Sequence, residues 1–189
     1  MSCSTKPLNK EQLASYIQKK ENGLQQKEEI NGIDVRVSYQ PKEMLVYQEM
    51  GEENKPTKHL VDSITNKYKA QEYFTIGLSK DHKEVIRQLA GFSEYSDMLQ
   101  VLSFQMSDKM MMITDHKDTI PMTDYLFQQT FGMSNENTLM LVFSNEKLKG
   151  ASEWTLYVKE FGLGIGNLKF VFRRADIDRI PSMKELSYL

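Results

Sequence analysis

Three short stretches near the C-terminus constrain this chain more than any other feature. Thr138-Leu139-Met140-Leu141-Val142-Phe143 is an apolar run. Residues 153–161 alternate, with Trp154, Leu156 and Val158 on one face, and Leu168, Phe170 and Phe172 repeat that period of two. Between the last two lies the glycine-punctuated crossing Gly162-Leu163-Gly164-Ile165-Gly166-Asn167. Such runs, bounded by turn residues, read as strands, and they hold the single tryptophan. Trp154, Leu156, Phe170 and Phe172 are therefore expected in the core.

The remainder of the chain decides the class. Asn9 is placed to cap a first helix, with Gln12 reaching back as in a capping box, and Asn22-Gly23 to end it. Residues 24–30 and 33–39 flank Asn31-Gly32, a strong hairpin signal, with Ile33, Val35, Val37 and Tyr39 facing inward. Pro41 precedes a short helix over 42–50, residues 51–58 read as a polar loop, and 57–69 carry one apolar helical face. A strand over 72–78 follows, with Phe74, Ile76 and Leu78 buried. Residues 81–104 read as helical with a break at Gly91. Residues 109–114 and 119–130 then read as strands paired across Asp115-His116-Lys117-Asp118. The elements are segregated rather than alternating. The expected class is α+β: an N-terminal helix and β-hairpin, central helices, and a C-terminal antiparallel sheet or sandwich-like layer.

Length and charge exclude several functions. A chain of 189 residues makes one ordinary domain, expected over 9–189 behind a flexible tether over 1–8. Lys+Arg 24 against Asp+Glu 26, well mixed along the chain, leaves no basic field for nucleic acid. No run reaches the ~18 apolar residues of a membrane helix.

The beginning of the chain carries a different signal. Ser2-Cys3 followed by Ser4-Thr5-Lys6 looks like the end of a bacterial lipoprotein signal, in which a small residue precedes the cysteine that becomes lipidated. The apolar stretch of such a signal does not precede Cys3, which fits a start codon placed inside the precursor. The competing reading is an ordinary N-terminus that happens to contain a cysteine, and with it a cytoplasmic protein.

Several phrases together carry a resemblance: Glu21-Asn22-Gly23-Leu24, Val37-Ser38-Tyr39-Gln40-Pro41, Leu45-Val46-Tyr47-Gln48-Glu49, Gln100-Val101-Leu102-Ser103-Phe104, Asp118-Thr119-Ile120-Pro121, Thr130-Phe131-Gly132-Met133 and Lys159-Glu160-Phe161-Gly162-Leu163-Gly164. In these the chain resembles, over nearly its whole length, a family of Gram-negative bacterial lipoproteins with no assigned activity. The resemblance implies lipidation at Cys3 and a periplasmic or outer-membrane location. It implies no catalytic or ligand residues.

Candidate chemistry is sparse. Asp115, His116 and Asp118 offer metal ligands, but neighbours in a tight turn point apart and Asp favours turns for its own backbone bonds. His59 and His82 read as exposed helix or cap residues, and zinc spacing is absent. The glycine crossing lacks the Lys-Ser/Thr of a phosphate loop and opens no helix, so it reads as a loop needing positive φ or close backbone approach. Met110-Met111-Met112 fits core packing, two of three on one side of a strand. Asp176 and Asp178 beside Arg173, Arg174 and Arg179 read as a solvated turn with weak ion pairs, and Glu52-Glu53 as a loop tip. The expectation is no metal, no cofactor and no catalytic residue. The preferred function is a lipid-anchored, non-enzymatic binding or accessory module with a protein partner or ligand. The alternative is a hydrolase assembled from scattered residues, which titratable side chains converging in a pocket would reveal.

Overall fold

The computed structural model describes residues 6–51 and 57–186. Cys3 and the Glu52-Glu53 pair lie outside the described residues. Helix α1 (Lys10–Gln18) starts at Asn9, whose side chain accepts from the Gln12 N–H at 2.8 Å while its own N–H donates to the Gln12 side chain at 3.1 Å. That reciprocal pair satisfies two groups the helix start leaves open. The helix stops at Gln18, and a 3-10 turn, Lys20–Asn22, brings the chain to Gly23. Strands β1 (Gln25–Ile30) and β2 (Ile33–Gln40) follow, joined by Asn31 at φ 54 and Gly32 at φ 75. Two positive-φ residues make the turn whose twist matches a hairpin.

Helices α2 (Lys42–Met50) and α3 (Lys58–Tyr68) pack on each other through Val46, Met50, Val61 and Ile64. Strand β3 (Gln71–Lys80) comes next, then β4 (Lys83–Glu84). Here the structure corrects the helical reading of 81–104. Asp81 and His82 both take positive φ, forming a tight turn, and residues 85–88 are a 3-10 turn. Helix α4 begins only at Phe92 and runs to Phe104. His82 is therefore a turn residue.

The second half holds β5 (Met110–Thr114), β6 (Thr119–Pro121), β7 (Asp124–Gln128), β8 (Asn137–Ser144), β9 (Glu153–Val158) and β10 (Leu168–Arg173), then the short α5 (Arg174–Ile177). The protein is α+β, and every strand pairing is antiparallel. One sheet has the order β1-β2-β3-β8-β7, with β4 also on β3; the other has the order β10-β9-β5-β6. Two expectations change. The strand expected over 119–130 is two strands in different sheets, because Pro121 brings no N–H and the chain crosses over at Met122-Thr123. The three C-terminal runs likewise divide, β8 going between β3 and β7 in the larger sheet and β9 and β10 to the smaller.

The inner faces of the two sheets share one core. The Phe74 ring on β3 meets Phe172 on β10 at 5.0 Å and Phe143 on β8 at 6.1 Å, both edge-on. Trp154, Leu156, Val158, Phe170, Met110 and Met112 are buried with them. Leu13 and Ile17 of α1 are part of the same core. Leu8, within the expected tether, is bridged to Met183: its N–H donates to the Ser182 carbonyl at 2.9 Å, and its carbonyl accepts from Lys184 at 2.8 Å.

Candidate binding cleft

β1 and β10 are edge strands of the two sheets, and their outer edges meet through Gln26 and Val171. The space between them is an open cleft of about 850 Å³. Its walls include Gln26 and Glu28 from β1, Val171 and Arg173 from β10, and Asp176 and Arg179 from the segment after it. α5 is held against the start of β1 so closely that a Cβ on Gly23 would lie 2.5 Å from an Asp176 carboxylate oxygen. Asp176 pairs with Arg179, and Asp178 with Arg174 at 2.8 Å. Arg174 also lies 5.7 Å over the Trp154 ring. Of the charged cluster expected as a solvated turn, Arg173, Asp176 and Arg179 thus form one end of the cleft.

Gln26 spans the gap. Its amide nitrogen donates to the Val171 carbonyl, and its amide oxygen accepts from the Val171 N–H at 3.2 Å. One side chain joins the edges of two sheets across 145 residues of sequence.

The glycine crossing sets where β10 begins. It binds an anion, but that anion is its own Glu160. The Glu160 carboxylate accepts from the N–H groups of Phe161 at 3.1 Å, Gly162 at 2.7 Å and Gly164 at 2.9 Å, and also from Gly166. Gly162, Gly164 and Gly166 all have positive φ, which turns their amides inward. Desolvation pushes the carboxyl upward, but the backbone donors outweigh it and hold its pKa below the usual range. Asn31 of the hairpin turn then clips onto the Gly164 carbonyl at 2.8 Å. The expectation of a structural loop with positive φ is met, and no phosphate is needed to explain the glycines.

A second carboxylate ringed by donors, this one buried, has no signal in the sequence. Glu84 accepts from the Thr130 hydroxyl, from the Gly132 N–H at 3.0 Å and from Arg87 at 3.1 Å. Burial opposes ionisation there, and these donors overcome it, leaving the pKa lowered. Around this cluster Phe92, Phe131 and Met133 are 83%, 69% and 85% exposed, a second surface of note. A third cluster joins β2, β3 and α2: each Glu72 carboxylate oxygen is engaged at 2.8 Å, one by Tyr39 and the other by Lys42. Burial and the neighbouring Glu72 charge push the Tyr39 hydroxyl pKa far up.

The other sequence candidates do not converge. Asp115 accepts from the Ser152 hydroxyl at 2.5 Å and the Ser152 N–H at 3.1 Å, while His116 Nε2 lies 3.4 Å from the Gly150 carbonyl. Lys117 takes φ 66, and the Asp118 N–H donates to Thr114. Serine, histidine and aspartate are neighbours here, but Ser152 bonds the acid rather than the base, so this grouping lacks a nucleophile–base pair. Among the described residues no group of three or more His, Cys, Asp or Glu is placed to hold a metal. His59 is exposed on α3.

No protein-family model matches the chain. No curated protein matches it. A crystal structure of a novel protein of unknown function from Burkholderia pseudomallei aligns over 87% of this chain and 93% of its own, at 10% identity and a TM-score of 0.37. A likeness that loose carries no argument about fold or function. The class defined by the fold is therefore a two-sheet α+β domain with a polar cleft between two strand edges.

Proposed function

We propose that this protein is a non-enzymatic binding module of the bacterial cell envelope, lipid-anchored through Cys3, with the β1–β10 cleft as its working site. The observation that carries the binding role is the cleft: about 850 Å³, open, and walled by two strand edges whose outward backbone groups lie beyond the sheet ladders. Sites of this size hold a ligand or a segment of a partner. The lipid anchor is supported by Ser2 before Cys3, the polar residues after it and the lipoprotein resemblance. From Cys3 to Leu8 the chain reaches at most about 18 Å, so an anchored body would sit close to the bilayer. Two or three acyl chains on one cysteine give stable attachment where a single chain does not.

The test has two arms in the native envelope. The gene, expressed with its upstream reading frame, is labelled with a fatty-acid probe; label lost in Cys3→Ser is expected. An unlabelled cytosolic protein overturns the anchor. A photo-crosslinking residue at position 27 or 173 is expected to trap a partner that position 59 does not. The adduct is identified by mass spectrometry, and the purified partner should bind the wild type and fail with Arg173→Glu. Equal adducts from all three positions, or binding indifferent to Arg173→Glu, overturn the cleft.

A further inference from the structure

The Gln26–Val171 contact has the pattern of strand pairing, with a side chain in place of a strand. An antiparallel neighbour gives and takes two bonds at one residue, donating an N–H to its carbonyl and accepting its N–H. The Gln26 amide makes that pair with Val171. We infer that the open edge of β10 receives an extended acidic peptide, and that Gln26 stands in for one of its peptide units until it arrives. This rests on the cleft being the binding site and names the class of partner it takes.

The register shows how much of the edge is available. Backbone groups on a strand alternate sides with period two. Val171 uses its N–H and C=O on the side away from β9, so Lys169 and Arg173 present theirs on that side too. Among the described residues no backbone bond outside the β9 ladder reaches either of them. Gln26 thus covers the middle of three outward positions. Natural proteins shield exposed edges because bare ones recruit strands. A lone amide is a shield that a peptide displaces by bringing the same two bonds and adding those at the flanking positions.

Charge selects the peptide. Lys169, Val171 and Arg173 are exposed on the outer face of the smaller sheet, where Phe170 and Phe172 point inward. Among the described residues neither Lys169 nor Arg173 has an ion-pair partner. A strand paired here sets one side chain against Val171 and one beside each cation, so the favoured pattern is acidic–x–apolar–x–acidic. Lys20 and Lys27 on the rim add to the same sign, Glu21 and Glu28 oppose it, and Arg179 is already tied to Asp176. The intervening side chains turn toward the inner face of β1, where Gln26 and Glu28 favour small polar groups.

The probe is the labelled peptide acetyl-Ser-Glu-Thr-Val-Thr-Glu-Ser-amide, titrated into the full chain by fluorescence anisotropy. Four results are expected. Replacing both glutamates by lysine weakens binding about tenfold or more. N-methylation of the central valine, which deletes the N–H facing Val171, weakens it about fivefold or more. Gln26→Ala tightens it about fivefold by removing the competitor. Val171→Pro abolishes it while leaving the β9 ladder intact, since the deleted N–H faces outward. If Val171→Pro fails to fold, the N-methyl peptide decides the same question on the wild type. Binding that ignores N-methylation and Val171→Pro overturns strand pairing but leaves the cleft as a binding site. No binding by the wild type or Gln26→Ala overturns the acidic-peptide inference, while crosslinking at 27 and 173 judges the cleft separately.

Discussion

Glu160 anchors the turn that delivers β10 to the cleft, and its removal has a consequence that can be worked from the structure. Glu160→Ala deletes a carboxylate that accepts from four backbone N–H groups, those of Phe161, Gly162, Gly164 and Gly166. Buried charge-assisted bonds are worth roughly 1.5–3 kcal/mol each, but the glycines here are largely exposed and water replaces much of what is lost. At about 0.5 kcal/mol per bond the loss is about 2 kcal/mol, or a melting point about 4–8 °C lower for a chain of this size. Glu160→Gln should cost less, because the N–H groups of Phe161, Gly162 and Gly164 share one carboxylate oxygen that an amide oxygen can replace, and only the Gly166 N–H would face the amide nitrogen. The sign with pH follows from the lowered pKa. A carboxylate with a depressed folded pKa stabilises above its unfolded value, about 4.3, and that contribution is lost as pH falls through the folded pKa. The gap between wild type and variant in urea denaturation should therefore be full at pH 7 and shrink toward pH 3. Other lowered carboxylates, Glu84 and Asp115 among them, titrate in the same range, so the difference between the two proteins is what isolates Glu160. Amide exchange at residues 168–170 should quicken in the variant. A gap equal at pH 7 and pH 3, or below about 0.5 kcal/mol at pH 7, would refute the reasoning.

Four further outcomes are expected. Trp154 is 1% exposed, so Trp154→Ala should cost about 3–5 kcal/mol and the native fluorescence should resist acrylamide; free quenching would contradict its place in the core. Trp154→Phe should cost less, since the indole N–H is buried without a partner among the described residues. Gly32→Val places a β-branched residue at φ 75 and should destabilise by about 1 kcal/mol or more, read as a lowered urea midpoint. Gly77→Ala puts a Cβ 2.4 Å from a Glu136 carboxylate oxygen, so the Arg36–Glu136 pair above it should break, and the variant should gain nothing further from Arg36→Ala in a double-mutant cycle.

What could be read in the sequence was local, and what could not be read was set by partners far along the chain. The capping box at Asn9, the turn at Asn31-Gly32 and the alternation of 153–158 each rest on residues within a few positions, and each is present. The helical reading of 81–104 holds from Phe92, after the break at Gly91, and fails over 81–91 because the apolar spacing of Val85 and Leu89 does not show what Glu84 binds. Two of its donors, Thr130 and Gly132, lie 46 and 48 residues away, and a tight turn at Asp81-His82 leads β3 into β4, which carries Glu84. The run 119–130 misled for a related reason. Its β signal is real in both halves, but the choice of sheet is made by pairing with β5 or β8, and only Pro121 marks the crossing.

The two acidic loop anchors show where that boundary falls. Glu160 and Glu84 are the same device, a carboxylate ringed by N–H and hydroxyl donors, and each ends with a lowered pKa. Glu160 was open to inspection: alternate glycines two, four and six residues after an acid can turn their amides to one side, and a charge of the right sign stands beside them. Glu84 was not, because apart from Arg87 its donors, Thr130 and Gly132, come from another part of the chain. Gln26 is the extreme case, since glutamine on a polar edge strand reads as ordinary solvated surface and its partner is a main-chain group rather than a side chain. A contact of that kind leaves no pattern in composition, charge or spacing. The loop that Glu160 holds leads directly into β10, whose edge carries Val171. The binding hypothesis thus depends on a residue outside the cleft, and Glu160→Ala should loosen the β10 edge without touching a single cleft side chain.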